Sequence, residues 1–194
     1  MLSTDREIKV ILKATVLGCA LLNKRLLCRC KLDPIQSVFP EHMRSKTITL
    51  ILEEGTPHGL RVLQMKGWSG KLFVCGRSTV KKLKDLEEAS LPAAYILIGD
   101  GEVYVGETDT LGQRLTDHVR SKDFWHDLVA FTSPDLQKTE VKYLEHVLVS
   151  RLVEAKKVKL LNGGSPKAPT IRKEIKDAVD EYLERAVDVL LSIG

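Results

Sequence analysis

The sequence predicts a mixed α/β (α+β) fold: a small three-stranded antiparallel sheet flanked by helices, preceded by a short β-rich segment. Three observations lead there. Asp100-Gly101 sits between runs of β-branched and aromatic residues, a strong hairpin signal. Beyond it, apolar residues recur at helical spacing on either side of one more strand-like run. Upstream, "TITLILEEGTPHGLRVLQMKGWSGKLFVCGR" alternates in polarity and turns at Gly-Thr-Pro, Lys-Gly-Trp-Ser-Gly and Cys-Gly.

In chain order, three zones are expected: 1–46, 47–91 and 92–194. Residues 1–46 carry nine Lys/Arg against four Asp/Glu and show no clean period. They read as a basic extension, either an amphipathic helix with a linker or a disordered tail without a function of its own. Met43 opens a more regular pattern, so a translation start misassigned upstream is also expected here. Residues 47–80 read as a small meander of strands, too small for a robust independent domain and expected to pack on the C-terminal zone. Val80 to Ala89 reads as a charged connecting helix ending before Pro92. From Ala93 the expected order is strand, turn, strand, helix (about 109–121), strand (about 126–132), helix (about 137–157), loop and helix (about 171–192).

Taking Asp100 and Gly101 as the central residues of a type I′ turn, both with positive φ, sets the hairpin register. Ile98 then faces Val103, Leu97 faces Tyr104, Ile96 faces Val105 and Tyr95 faces Gly106. With a side-chain period of two, Tyr95, Leu97, Tyr104 and Gly106 share one face, while Ile96, Ile98, Val103 and Val105 share the other. The second face is wholly apolar and belongs to the core. The first carries two phenol hydroxyls beside a glycine that leaves room for something to approach. Taken alone, the two tyrosines are better explained as strand residues whose hydroxyls merely reach solvent.

In the next helix Leu111, Leu115 and Val119 form the apolar stripe, with Arg114 and His118 one turn apart along its edge. A guanidinium grips phosphate oxygens and a histidine titrates near neutrality, so the pair suits phosphoryl chemistry. A solvated arginine and a surface histidine would look the same. In the helix from about Gln137, Val141, Leu144, Leu148 and Leu152 make the core stripe, and Glu145 falls within it. A carboxylate there needs a cation or several donors. Glu145 is therefore the best metal-ligand candidate, and a lone carboxylate with waters suits Mg²⁺; an ion pair with Arg114 or Lys142 is the alternative. Lys138, Lys142, Arg151, Lys156, Lys157 and Lys159 line this helix and its exit, where a phosphate-binding patch could form despite Glu140 and Glu154. Asn162, in a polar loop, could cap, turn or bind a ligand.

Composition narrows the classes. The formal charge is +4, but residues 93–194 hold fourteen Lys/Arg against seventeen Asp/Glu, so any basic footprint there is a local patch. Cys19, Cys28, Cys30 and Cys75 are spaced for neither a disulfide scaffold nor a zinc site, which points to a reducing, cytoplasmic compartment. No apolar run reaches the ~18–20 residues of a membrane span. Residues 8–22 lack the positive n-region of a signal peptide, because Asp5 and Glu7 cancel it and Lys13 interrupts the stretch.

Over residues 92–165 the chain resembles the GIY-YIG endonucleases, named for two strand motifs followed by a helical arginine and a later helical glutamate. Ala93-Ala94-Tyr95 stands at the first motif and Tyr104-Val105-Gly106 at the second. Arg114, His118, Glu145 in "KYLEHVL" and Asn162 stand at the later positions. The β-rich segment and "NGGSPKAPTI" look like one bacterial branch of the family. The resemblance implies a three-stranded antiparallel sheet and hydrolysis of DNA phosphodiesters with one divalent cation, Mg²⁺ or Mn²⁺. It implies that Glu145 holds the metal and that Arg114 neutralises charge on the phosphoryl group. Tyr95 and Tyr104, hydrogen-bonded to each other and to water, would orient the nucleophile, with Tyr95, Tyr104 or His118 as the base. Lys138, Lys142 and Asn162 are the expected nucleic-acid contacts. Two departures stand out. Ala-Ala replaces the usual Gly-Ile of the first motif, and "ETDTLGQ" has no basic residue where many members carry one, bringing Glu107 and Asp109 instead. The alternative is a noncatalytic nucleic-acid-binding or regulatory module that retains the fold.

Overall fold

The computed structural model describes residues 45–164 and 166–193. Apart from Ser45 and Lys46, the N-terminal extension expected over 1–46 lies outside them. Seven strands make one sheet: β1 (Ile48–Leu52), β2 (Arg61–Met65), β3 (Lys71–Gly76), β4 (Ala93–Gly99), β5 (Glu102–Thr108), β6 (Trp125–Thr132) and β7 (Lys159–Leu160). Four helices accompany them: α1 (Val80–Leu83), α2 (Leu111–Ser121), α3 (Lys138–Ala155) and α4 (Lys173–Ser192), with a 3-10 turn at Glu87–Ser90. Among the described residues no helix is long and apolar enough to cross a membrane.

The strand order is β1-β2-β3-β6-β4-β5-β7, antiparallel throughout except for β5 with β7. The expected three-stranded sheet is the β6-β4-β5 part of this larger one. A β6-β4-β5 sheet alone would leave its β6 edge open and bury little. Here β3 pairs with β6 from Lys71↔Thr132 to Gly76↔Asp127, so the sheet runs unbroken across the 91/92 boundary. At the other end Lys159 N–H and Leu161 N–H donate to the Gly101 and Val103 carbonyls and cover the β5 edge, in a stretch expected to be a loop.

The connecting helix expected over Val80 to Ala89 is also different, being one short turn of α-helix and then a 3-10 turn. Its apolar residues Val80, Leu83, Leu86 and Ala89 are three apart and all pack into one core. In a straight α-helix a three-residue spacing falls 60° short of a full turn each time. Breaking the helix keeps all four pointing inward.

Hairpin pairing has the expected register, Ile98↔Val103, Leu97↔Tyr104, Ile96↔Val105 and Tyr95↔Gly106. The turn is not type I′, however. Gly101 has φ 72, whereas Asp100 is not among the positive-φ residues. One left-handed glycine closes the two-residue loop and spares Asp100 a backbone that costs an L-residue roughly 1–2 kcal/mol.

Each face of β4 belongs to a separate core. Ala94, Ile96 and Ile98 point with Val103 and Val105 into a large cluster closed by Val141, Leu144 and Leu148 of α3 and Val179, Leu183 and Leu190 of α4. Ala93, Tyr95 and Leu97 point into a smaller cluster closed by Leu111 and Leu115 of α2 and by Val80, Leu83 and Ala89. The tyrosine face is thus a second core, covered mainly by one eleven-residue helix.

Candidate active site

Tyr95 is fully buried at 0% exposure, in the middle of β4. The space left by Gly106 is filled by the ring of Tyr95 itself: a Cβ on residue 106 would lie 2.3 Å from the phenol oxygen. What approaches this glycine is therefore its cross-strand partner. Tyr104, two residues back along β5, keeps part of its ring open to solvent. The two rings are tilted with centroids 6.4 Å apart.

His118 is only 3% exposed, on the buried face of α2 rather than at its edge. The Tyr95 hydroxyl meets its Nε2 at 2.6 Å, while Arg114 Nε donates to the same oxygen at 3.2 Å. With Arg114 donating, the Tyr95 O–H is free to donate to Nε2, which leaves the proton on Nδ1, a buried atom without a partner. The expected hydrogen bond between the two tyrosines is replaced by this Arg114–Tyr95–His118 chain. Burial pushes the Tyr95 phenol well above its usual range, despite the opposing pull of Arg114. Burial first, then the charges of Arg114 and Lys122, lowers His118 to about 4, so the imidazole is neutral at pH 7. The guanidinium of Arg114 is raised by its hydrogen bond to Tyr95 and also leans on Tyr104.

Glu145 lies half-buried beside the α3 core stripe of Val141, Leu144, Leu148 and Leu152. Its carboxyl is raised, first by burial and next by the charge of Glu107, against the pull of Lys138, Lys142 and Arg114. Neither alternative ion pair forms: Arg114 and Lys142 act on it only through space, and the carboxylate has no hydrogen-bonding or ion-pairing partner among the described residues. Lys138 at the start of α3 is claimed by Glu107 at 2.7 Å and Asp109 at 2.9 Å. The Glu107 contact is a charge-to-charge approach rather than an aligned hydrogen bond, since Oε2 is buried without a hydrogen-bond partner. Arg114, Glu107, Asp109, Asp117 and Lys138 line an open hollow of about 370 Å³ beside the β5–α2 connection.

The other two expected nucleic-acid contacts divide. Lys142 is exposed on α3. Asn162 is committed elsewhere: its Oδ1 accepts from the Val105 N–H at 3.0 Å and its Nδ2 donates to the Val105 carbonyl at 2.8 Å. It continues the β7 ladder with a side chain and anchors β5 beneath Tyr104. Two neighbours were not placed in the site by the sequence reading. Glu107, noted there only as a departure from the motif, is one; only the fold brings the β5 end against α3. Lys122 is the other, with its ammonium 4.2 Å from the Tyr104 ring centroid. The signal for it was the spacing 114, 118, 122, one helical face.

Among the described residues no three His, Cys, Asp or Glu side chains converge as a metal cluster. What Glu145 offers is a solitary carboxylate, unpaired, half-buried and raised by a second carboxylate, a situation that a hydrated divalent cation relieves. The residues fit such an ion with Glu145 as its protein ligand and Glu107 as the acid whose charge acts on it. No family model, curated protein or solved structure matches the chain.

Proposed function

We propose that the protein is a metal-dependent endonuclease that hydrolyses phosphodiester bonds in DNA. One observation carries the reading: Arg114 is oriented by a buried tyrosine–histidine pair toward the hollow, in the electrostatic neighbourhood of the unpaired Glu145 carboxylate. Mg²⁺ or Mn²⁺ held by Glu145 would polarise the phosphate and stabilise the leaving oxygen. Arg114 grips the phosphoryl oxygens, and its Nε bond to Tyr95 sets the plane of the guanidinium before substrate arrives. Tyr104, only partly buried, orients the attacking water. Water oxygen bonds to phosphorus, the bond to the leaving oxygen breaks, and a proton passes from the water to solvent or a neighbouring base. Tyr95 and His118 are closed to that water and act as positioning residues through Arg114.

A noncatalytic nucleic-acid-binding or regulatory module is the second reading, favoured by the absence of a basic residue between Gly106 and Arg114, where Glu107 and Asp109 stand instead. The two part in one experiment: incubation with branched, single-stranded and duplex DNA, with and without Mg²⁺ or Mn²⁺. Metal-dependent cutting of any substrate is expected. Binding without cutting on every substrate would sink the nuclease reading in favour of the module.

A further inference from the structure

We infer that Lys122 is a second cationic contact for the phosphate backbone of a bound DNA strand, beside Arg114; this rests on the nuclease reading above. Lys122 is placed by its surroundings. Its backbone N–H closes α2 on the His118 carbonyl at 3.0 Å. On the far side Arg77 donates to the Val119 carbonyl at 2.8 Å, pairs with Asp123 at 2.9 Å and stacks over Trp125 at 5.3 Å, which pins the end of the helix from β3. From that anchored backbone the side chain crosses the face of Tyr104, with Nζ 4.2 Å from the ring centroid.

Charge separates Lys122 from the lysine that the sequence favours. Lys138 has two carboxylates at ion-pairing distance, whereas Lys122 has none among the described residues. The acid next to it in sequence, Asp123, is taken by Arg77. Arg114 and Lys122 both act on His118, opposed there by Asp117, and neither cation has an ion-pairing partner among the described residues. An acidic chain segment that leaves two cations, two turns apart along α2 and its C-cap, without ion-pair partners presents a local positive footprint. The ammonium also occupies one face of Tyr104, so from that side a strand meets a charge rather than a ring on which a base would stack. The contact is accordingly to backbone phosphate and carries no sequence preference.

The test is a salt titration of binding to a short fluorescent DNA duplex of arbitrary sequence, with chelator present so that nothing is cut. Wild type, Lys122→Gln, Lys122→Arg and Arg114→Ala are compared, each checked by thermal melting. Losing one phosphate contact makes the plot of log affinity against log salt shallower by roughly one. That loss is expected for Lys122→Gln, with the wild-type slope kept in Lys122→Arg; a residue that merely props Tyr104 would leave the slope unchanged in both. A wild-type slope in Lys122→Gln alongside a shallower one in Arg114→Ala overturns the inference and leaves the nuclease reading standing. Failure of wild-type protein to bind the duplex at low salt overturns both.

Discussion

Strand β4 is buried on both faces, yet the layers that cover it differ in kind. One face meets α3 and α4, which bring a largely apolar set that also holds the hydroxyls of Tyr143 and Tyr182, with the Trp68 indole packed against it. Tyr143 answers Asp180 at 3.0 Å and Tyr182 answers the Thr132 carbonyl at 2.9 Å, so these hydroxyls are satisfied. The other face meets α2 and two short turns, and into that thinner cover the chain places Tyr95 and His118, with Arg114 at the rim. A buried imidazole with one unpartnered nitrogen destabilises a core. The larger face supplies the stability that lets the smaller one keep such a group.

Breaking the larger face has the largest effect. Leu183→Ala should lower the unfolding free energy by about 2–5 kcal/mol in a denaturant titration. A loss below about 1 kcal/mol would mean that α4 is not the main closure of that core. On the smaller face the corresponding deletion acts on function instead. Arg114→Ala should slow metal-dependent cleavage by roughly 10²–10³-fold, about 2.7–4 kcal/mol. Its stability should fall by only about 0.5–1.5 kcal/mol, because the residue is exposed overall and the main loss is its hydrogen bond to the buried Tyr95 hydroxyl.

The two faces also differ in their response to pH. His118 is lowered from 6.5 to about 4 in the fold, so the unfolded chain takes up its proton first. Stability from keeping this imidazole neutral is complete above about pH 6.5 and is lost as pH falls toward 4, on the order of 2–3 kcal/mol. Wild type should lose that much more than His118→Gln between pH 7 and 4; parallel curves would refute it. The smallest effect lies at the β5 edge. Asn162→Ala removes both bonds to Val105 and should cost about 1–2 kcal/mol, with faster amide exchange at Val105.

The hairpin was legible in the sequence because a two-residue loop and a period of two leave only one register for Tyr95, Ile96, Leu97 and Ile98. Glu145 was legible as an anomaly, since a carboxylate beside Val141, Leu144 and Leu148 breaks the stripe. What periodicity could not show was contact between elements. It placed Tyr95 and Tyr104 on one face but not the α2 lid that buries Tyr95 and leaves Tyr104 open. It flagged Glu107 and Asp109 as a departure from a known pattern but not their capture of Lys138 from another helix. The seven-stranded sheet was missed for the same reason, because β3 meets β6 across some fifty residues of chain and no local signal marks that edge.

The central claim is that Glu145 carries the metal for phosphodiester hydrolysis, and the isosteric change Glu145→Gln tests it most directly. Single-turnover cleavage at saturating Mg²⁺ should fall by roughly 10³-fold, several kcal/mol of barrier, with DNA binding in chelator preserved. A variant that cuts within a few-fold of wild type, with the same Mg²⁺ dependence, would contradict it.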